Sequence, residues 1–152
     1  MKTRTFVSIL IFVLAVLIIS EGFATEKKVT KRDYKFFSET WINEEYNKES
    51  EFPAKLVIRR DGTFDAYFML SDKKKYRSGI YEIVEKWTDS EGNIWYKRHV
   101  WGGAKVEGHP GGYALDKFSN SGNVWEYIES GADFPTEIDK NHPYYHRYNR
   151  QE

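Results

Sequence analysis

The sequence predicts an antiparallel all-β domain closed as an up-and-down β-barrel of about eight strands, with a two-sheet β-sandwich as the alternative. Three observations carry that prediction. Short segments rich in aromatic and β-branched residues recur along the chain, turn signals separate them, and several alternate apolar with polar positions at the period of a half-buried strand. Consecutive hairpins suit closure, because a closed sheet leaves no edge at which further strands can add.

Ahead of the domain, residues 1–24 read as a secretory signal peptide. Lys2 and Arg4 give a positive start, residues 6–19 are apolar apart from Ser8, and Gly22-Phe23-Ala24 places small residues where a signal peptidase cuts. The apolar run has about 14 residues against the roughly 20 that span a bilayer, so no integral membrane span is expected after cleavage. The chain contains no cysteine, which removes a lipid anchor on that residue and any disulfide. That absence favours a bacterial exported protein, periplasmic or secreted, over an animal one.

Residues 25–36 are charged and lack periodicity, and read as a polar lead-in to a single domain over residues 37–152. The opening strand is expected at 39–46. Residues 55–60 and 63–70 flank Asp61-Gly62, a strong hairpin signal. In the second of these, Phe64, Ala66, Phe68 and Leu70 share one face, while Thr63, Asp65, Tyr67 and Met69 share the other. Residues 79–87 put Tyr81, Ile83 and Trp87 on one face, and Ser90-Glu91-Gly92-Asn93 turns into residues 94–101. Gly102-Gly103 and His109-Pro110-Gly111-Gly112 bracket a glycine-rich loop. Residues 113–118 and 124–129 then form a third hairpin around 119–123, and 144–148 close the series. The polar segment 133–141 leaves room for a short turn of helix.

Without residues 1–24 the chain keeps 21 of its 23 basic and 22 of its 23 acidic side chains. A protein that displaces counterions from phosphate needs a basic excess, so nucleic acid is excluded as an expected partner. Enzymatic signatures are missing. There is no cysteine nucleophile, no Gly-x-Ser-x-Gly elbow, no phosphate-cradling glycine loop and no His-Glu-x-x-His helix, so neither catalysis nor a cofactor is expected. Glu82, Glu85, Glu126 and Glu129 alternate with apolar neighbours and read as solvated outer faces. Lys73-Lys74-Lys75 reads as a charged hairpin tip.

Four histidines, His99, His109, His142 and His146, are the available metal donors. His142 and His146 have the spacing of helical zinc sites, but Pro143 and the surrounding tyrosines argue for extended chain, where residues four apart lie roughly 13 Å from each other. No metal is expected.

Phe37-Ser38-Glu39-Thr40-Trp41 resembles the start of a lipocalin-like, or wider calycin, barrel, and streptavidin-like barrels have a similar tryptophan-bearing first strand. The resemblance spans Phe37 to Arg150. It implies that Trp41 lies at the closed end beneath a basic side chain from near the C-terminus, either Arg147 or Arg150. It also implies a binding or transport protein for a small, mostly apolar or amphipathic molecule. About eight strands enclose an interior just wide enough for packed side chains or one small ligand.

Twenty-six of the 152 residues are aromatic, so both a core and a pocket wall have ample material. Tyr67, Tyr81, Trp95, Trp101 and Tyr113, on strands beside the loop ends, are the expected wall residues. The alternative is a secreted protein- or carbohydrate-interaction module acting through its loops, with Trp101, His109 and Tyr113 as an exposed platform on the glycine-rich segment.

Overall fold

The computed structural model describes residues 27–43, 45, 53–68, 76–103 and 111–152. The expected signal peptide, the lysine-rich tip at 73–75 and His109 lie outside them. Eight antiparallel strands follow in chain order: β1 (Thr40–Asn43), β2 (Lys55–Ile58), β3 (Thr63–Tyr67), β4 (Tyr76–Thr88), β5 (Ile94–Gly102), β6 (Gly112–Phe118), β7 (Val124–Ser130) and β8 (Tyr145–Arg150). Each pairs with the next, and β8 returns to β1 with Trp41 opposite Arg150 and Asn43 opposite Tyr148. The sheet is therefore a closed up-and-down barrel and not a sandwich.

Three tight turns define one end. Residues 59–62, 89–92 and 119–122 share one design, in which Gly62, Gly92 and Gly122 stand at φ of 84°, 82° and 74°. In each, the glycine N–H donates to the carbonyl three residues back, Arg59, Asp89 or Ser119. That backbone region strongly favours glycine. The connections β1–β2, β3–β4, β5–β6 and β7–β8 lie at the other end. The last of these passes from Ser130 to Tyr145 through bends and turns without helix.

The turn end is closed by a helix inside the segment that reads as a polar lead-in. Helix α1 (Lys31–Phe37) begins with a capping box in which the Thr30 N–H donates to Asp33 at 2.8 Å and the Arg32 N–H donates to the Thr30 hydroxyl at 3.3 Å. Seven residues are too few to display a helical period, so the cap is its main sequence signal. Asp33 is buried, and it also accepts from Lys86 and, at 3.0 Å, from the Tyr96 hydroxyl. Burial opposes its charge, but Lys86, Thr30 and Tyr96 together hold the carboxyl below its ordinary range.

Phe37, at the helix end, fills the barrel floor against Tyr96, Phe118 and Trp125 with ring centroids at 4.8, 4.7 and 5.8 Å, all edge-to-face. The Trp41 indole N–H donates to the Phe37 carbonyl at 3.1 Å. The Arg150 guanidinium lies 5.1 Å from the Trp41 ring and donates to the Phe36 carbonyl at 3.3 Å. Of the two basic candidates, Arg150 therefore meets Trp41, while Arg147 falls on the alternate face of β8, opposite Glu126.

One expected facing is corrected. The β4–β5 register shifts between Ile83 and Glu85, and the extra residue, Val84, is 48% exposed. This bulge reverses the alternation. Tyr81 and Ile83 point inward before it, and Lys86 reaches in toward Asp33 after it. Trp87 consequently stands outside, stacked on Trp95 at 5.7 Å and 10°.

Removing Asp33 strands the Lys86 charge and the Tyr96 hydroxyl at the buried floor. Asp33→Ala is expected to lower stability by about 3 kcal/mol and Thr30→Ala by about 1 kcal/mol, read as urea midpoints with unchanged m-values.

Candidate functional site

At the end opposite α1 the barrel is hollow. A cavity of about 370 Å³ is bounded by Leu56 and Ile58 of β2, Phe64 and Ala66 of β3, Arg98 and Val100 of β5, Trp125, Tyr127 and Glu129 of β7, and His146 of β8. Pro53, Phe68, Arg77 and Tyr144 stand where strands meet loops, and mark the mouth. The space follows from side-chain size. Gly79 admits the Phe64 ring, since a Cβ there would lie 2.3 Å from Phe64 Cζ. Ala66, Gly102, Gly112 and Ala114 fill little of the volume that aromatic rings occupy at the helix end.

The cavity floor is an ion pair. Arg98 and Asp116 are 3% and 0% exposed, and Arg98 donates through Nε and Nη2 to the two carboxylate oxygens, each at 2.6 Å. The Trp125 indole N–H adds a third donor to Asp116 at 2.9 Å. Rings of Trp125, Phe37, Tyr127 and Tyr81 surround the guanidinium at 5.0, 5.2, 5.7 and 5.9 Å. Burial works against the Arg98 charge, but Asp116 outweighs it and raises the guanidinium above its ordinary value. Bidentate geometry of this kind is the strongest form of the pair.

Glu129 lies on the same cross-strand row as Arg98, with Ala114 between them. Arg98 takes the diagonal to Asp116 instead, and among the described residues no hydrogen bond or ion pair reaches the Glu129 carboxyl. Burial raises that carboxyl above its ordinary value of 4.5; Arg98 opposes the shift and Asp116 adds to it. On the neighbouring strand, burial lowers His146 to about 4, so its imidazole is neutral at pH 7.

Of the residues expected as cavity walls, none lines this space. Tyr81 is in the interior, but it packs below the cavity and donates from its hydroxyl to the Arg59 carbonyl at 2.8 Å. Tyr67, Trp95, Trp101 and Tyr113 occupy the alternate, outer register and are corrected accordingly: Ala66 and Phe68 flank Tyr67, and Val100 and Gly102 flank Trp101, on the cavity side. Trp101 and Tyr113 instead belong to an outer cluster with His99 and Phe134. His99 lies 5.7, 5.1 and 5.1 Å from the rings of Trp101, Tyr113 and Phe134.

Of the interior residues Arg98, Asp116, Glu129 and His146, three carry a sequence signal, and Glu129, expected on a solvated outer face, is corrected to the inside. Ala114-x-Asp116-x-Phe118, Tyr96-x-Arg98-x-Val100 and Trp125-x-Tyr127-x-Glu129 each put one charge on an apolar strand face. Glu126 and Glu129 are three apart, so they cannot share a strand face. Glu126 is outside, accepting from the Tyr145 hydroxyl at 2.6 Å, and Glu129 is inside. Among the described residues no three His, Asp or Glu side chains gather to hold a metal ion. His142 sits in the β7–β8 connection, apart from His146 inside the barrel. The chain matches no protein-family model, no curated protein and no solved structure.

Replacing either partner of the floor pair leaves a buried charge alone. Arg98→Met and Asp116→Leu are each expected to cost about 3–5 kcal/mol, whereas the double variant recovers most of that loss in a double-mutant cycle. Glu129 works in the opposite sense. Its folded pKa is raised, so its favourable contribution is complete below the unfolded value and is lost as pH rises through the folded one. Glu129→Gln is expected to raise Tm at pH 8 and leave it unchanged at pH 4, as differential scanning calorimetry would show.

Proposed function

We propose that this chain is an exported, non-catalytic binding protein that holds one small amphipathic molecule inside the barrel. The observation that carries the reading is the cavity. Its volume of about 370 Å³ lies within the range of small-molecule sites, its walls are mostly aliphatic and aromatic, and its few polar groups lie at the floor (Arg98), on the β7–β8 side (Glu129, His146) and on β4 toward the mouth (Arg77, Ser78). A closed sheet holds those walls in place, so little ordering entropy is lost on binding. Export rests on the character of residues 1–24.

The loop-platform alternative finds no comparable support among the described residues. Trp101 is 6% exposed, and the Tyr113 ring packs on Phe134 at 4.9 Å. Neither presents the open apolar face that a surface contact uses.

Filling the cavity tests the reading. The purified protein is expected to release a near-stoichiometric small molecule into organic solvent, detected by mass spectrometry against a mock purification. Val100→Trp, which projects an indole into the same space, is expected to retain the fold and lose the guest. A guest retained by Val100→Trp would place binding elsewhere.

A further inference from the structure

We propose that the cavity selects a cationic ligand, an amine carried on an apolar body, with Glu129 as its counter-charge. The inference rests on the binding reading above and names the class of molecule bound. It begins from a count of charges in the barrel interior near the cavity. Arg98 and Asp116 neutralise one another through two hydrogen bonds of 2.6 Å. His146, opposite Tyr127 on β8, is neutral at pH 7. Arg77 stands exposed at the mouth, its guanidinium 5.5 Å from the Phe68 ring. What remains inside is one carboxyl, Glu129, with no cation of the described residues bonded to it.

The groups around Glu129 favour the same sign of ligand. From β6 it faces Ala114 and, one step along that face, Asp116; from β5, Arg98; from its own strand, Tyr127; and from the β8 side, His146 and Tyr144. Asp116 balances the charge of Arg98, so the floor pair presents no net positive charge to an incoming anion. Phe64, Phe68, Trp125 and Tyr127 present aromatic rings to the cavity, and the faces of such rings attract cations and repel anions. An ammonium group beside Glu129 would gain a charge-assisted hydrogen bond in a site of low dielectric, while its apolar body covers Leu56, Ile58 and Val100. Burial disfavours the ionised carboxyl in the empty barrel, and a bound cation would oppose that shift.

Three probes with one indole body separate the possibilities: tryptamine, a cation at pH 7; tryptophol, neutral; and indole-3-propionate, an anion. Isothermal titration calorimetry is expected to rank tryptamine at least about tenfold tighter than tryptophol, the equivalent of one charge-assisted hydrogen bond, with indole-3-propionate weakest. Glu129→Gln is expected to bring tryptamine down to the affinity of tryptophol. Indole-3-propionate binding as tightly as tryptamine, or an amine preference that survives Glu129→Gln, overturns the inference. In either case tryptophol binding that Val100→Trp abolishes keeps the cavity reading intact. Failure of all three probes to bind overturns both.

Discussion

The interior of this barrel is organised by the pairing of Arg98 with Asp116. Moving two charges out of water costs several kcal/mol for each, and only close geometry with full hydrogen bonding offsets it. Here both carboxylate oxygens are engaged by Arg98, Trp125 supplies a further donor, and aromatic rings enclose the guanidinium. The geometry exists because Arg98 stands opposite Ala114 while Asp116 stands opposite Tyr96, two residues along the same face of β6. A slip of one residue in either strand would move one charge outside and leave the other buried alone. The pair therefore opposes register errors between β5 and β6, and Trp125 extends the constraint to β7.

On either side of that pair the barrel differs. Toward the helix, Phe37, Trp41, Tyr96, Phe118 and Trp125 are all buried and pack through ring edges and faces, and Arg150 covers Trp41. Toward the mouth the inward positions pass to Ala66, Gly79, Gly102, Gly112 and Ala114. The same sheet is thus solid at one end and hollow at the other, with the ion pair at the boundary. The arrangement of turns fits this division, since the glycine turns sit beneath the packed end.

Much of the fold was legible, because strands and tight turns are written locally. Phe64, Ala66 and Phe68 announce their common face by spacing alone, and Asp61-Gly62 and Gly92-Asn93 mark turns by the backbone they require. Helix α1 was missed, since seven residues carry a capping box but no period. Trp87 was placed on the wrong face by a bulge at Val84, which depends on pairing with β5 and leaves no local mark. The wall residues failed for a different reason. Choosing the largest aromatics near loop ends selected Trp95, Trp101 and Tyr113, which cover the outer sheet, whereas a cavity is found where inward residues are small. The more informative signal was the single charge on each apolar face at Arg98, Asp116 and Glu129.

Glu129 shows why the departures from a well-packed interior are the places to look for function. Arg98 and Asp116 satisfy one another, so their burial is consistent with a purely structural role. Glu129 has no such partner among the described residues, and its raised pKa records an environment that disfavours its ionised form. A leucine at that position would suit an empty barrel better. An unmatched carboxyl facing a preformed apolar cavity is a cost in the unliganded state that a complementary ligand removes, and removal of that cost appears as affinity. The same residue thus lowers the stability of the empty protein and sets the charge of the molecule that fills it.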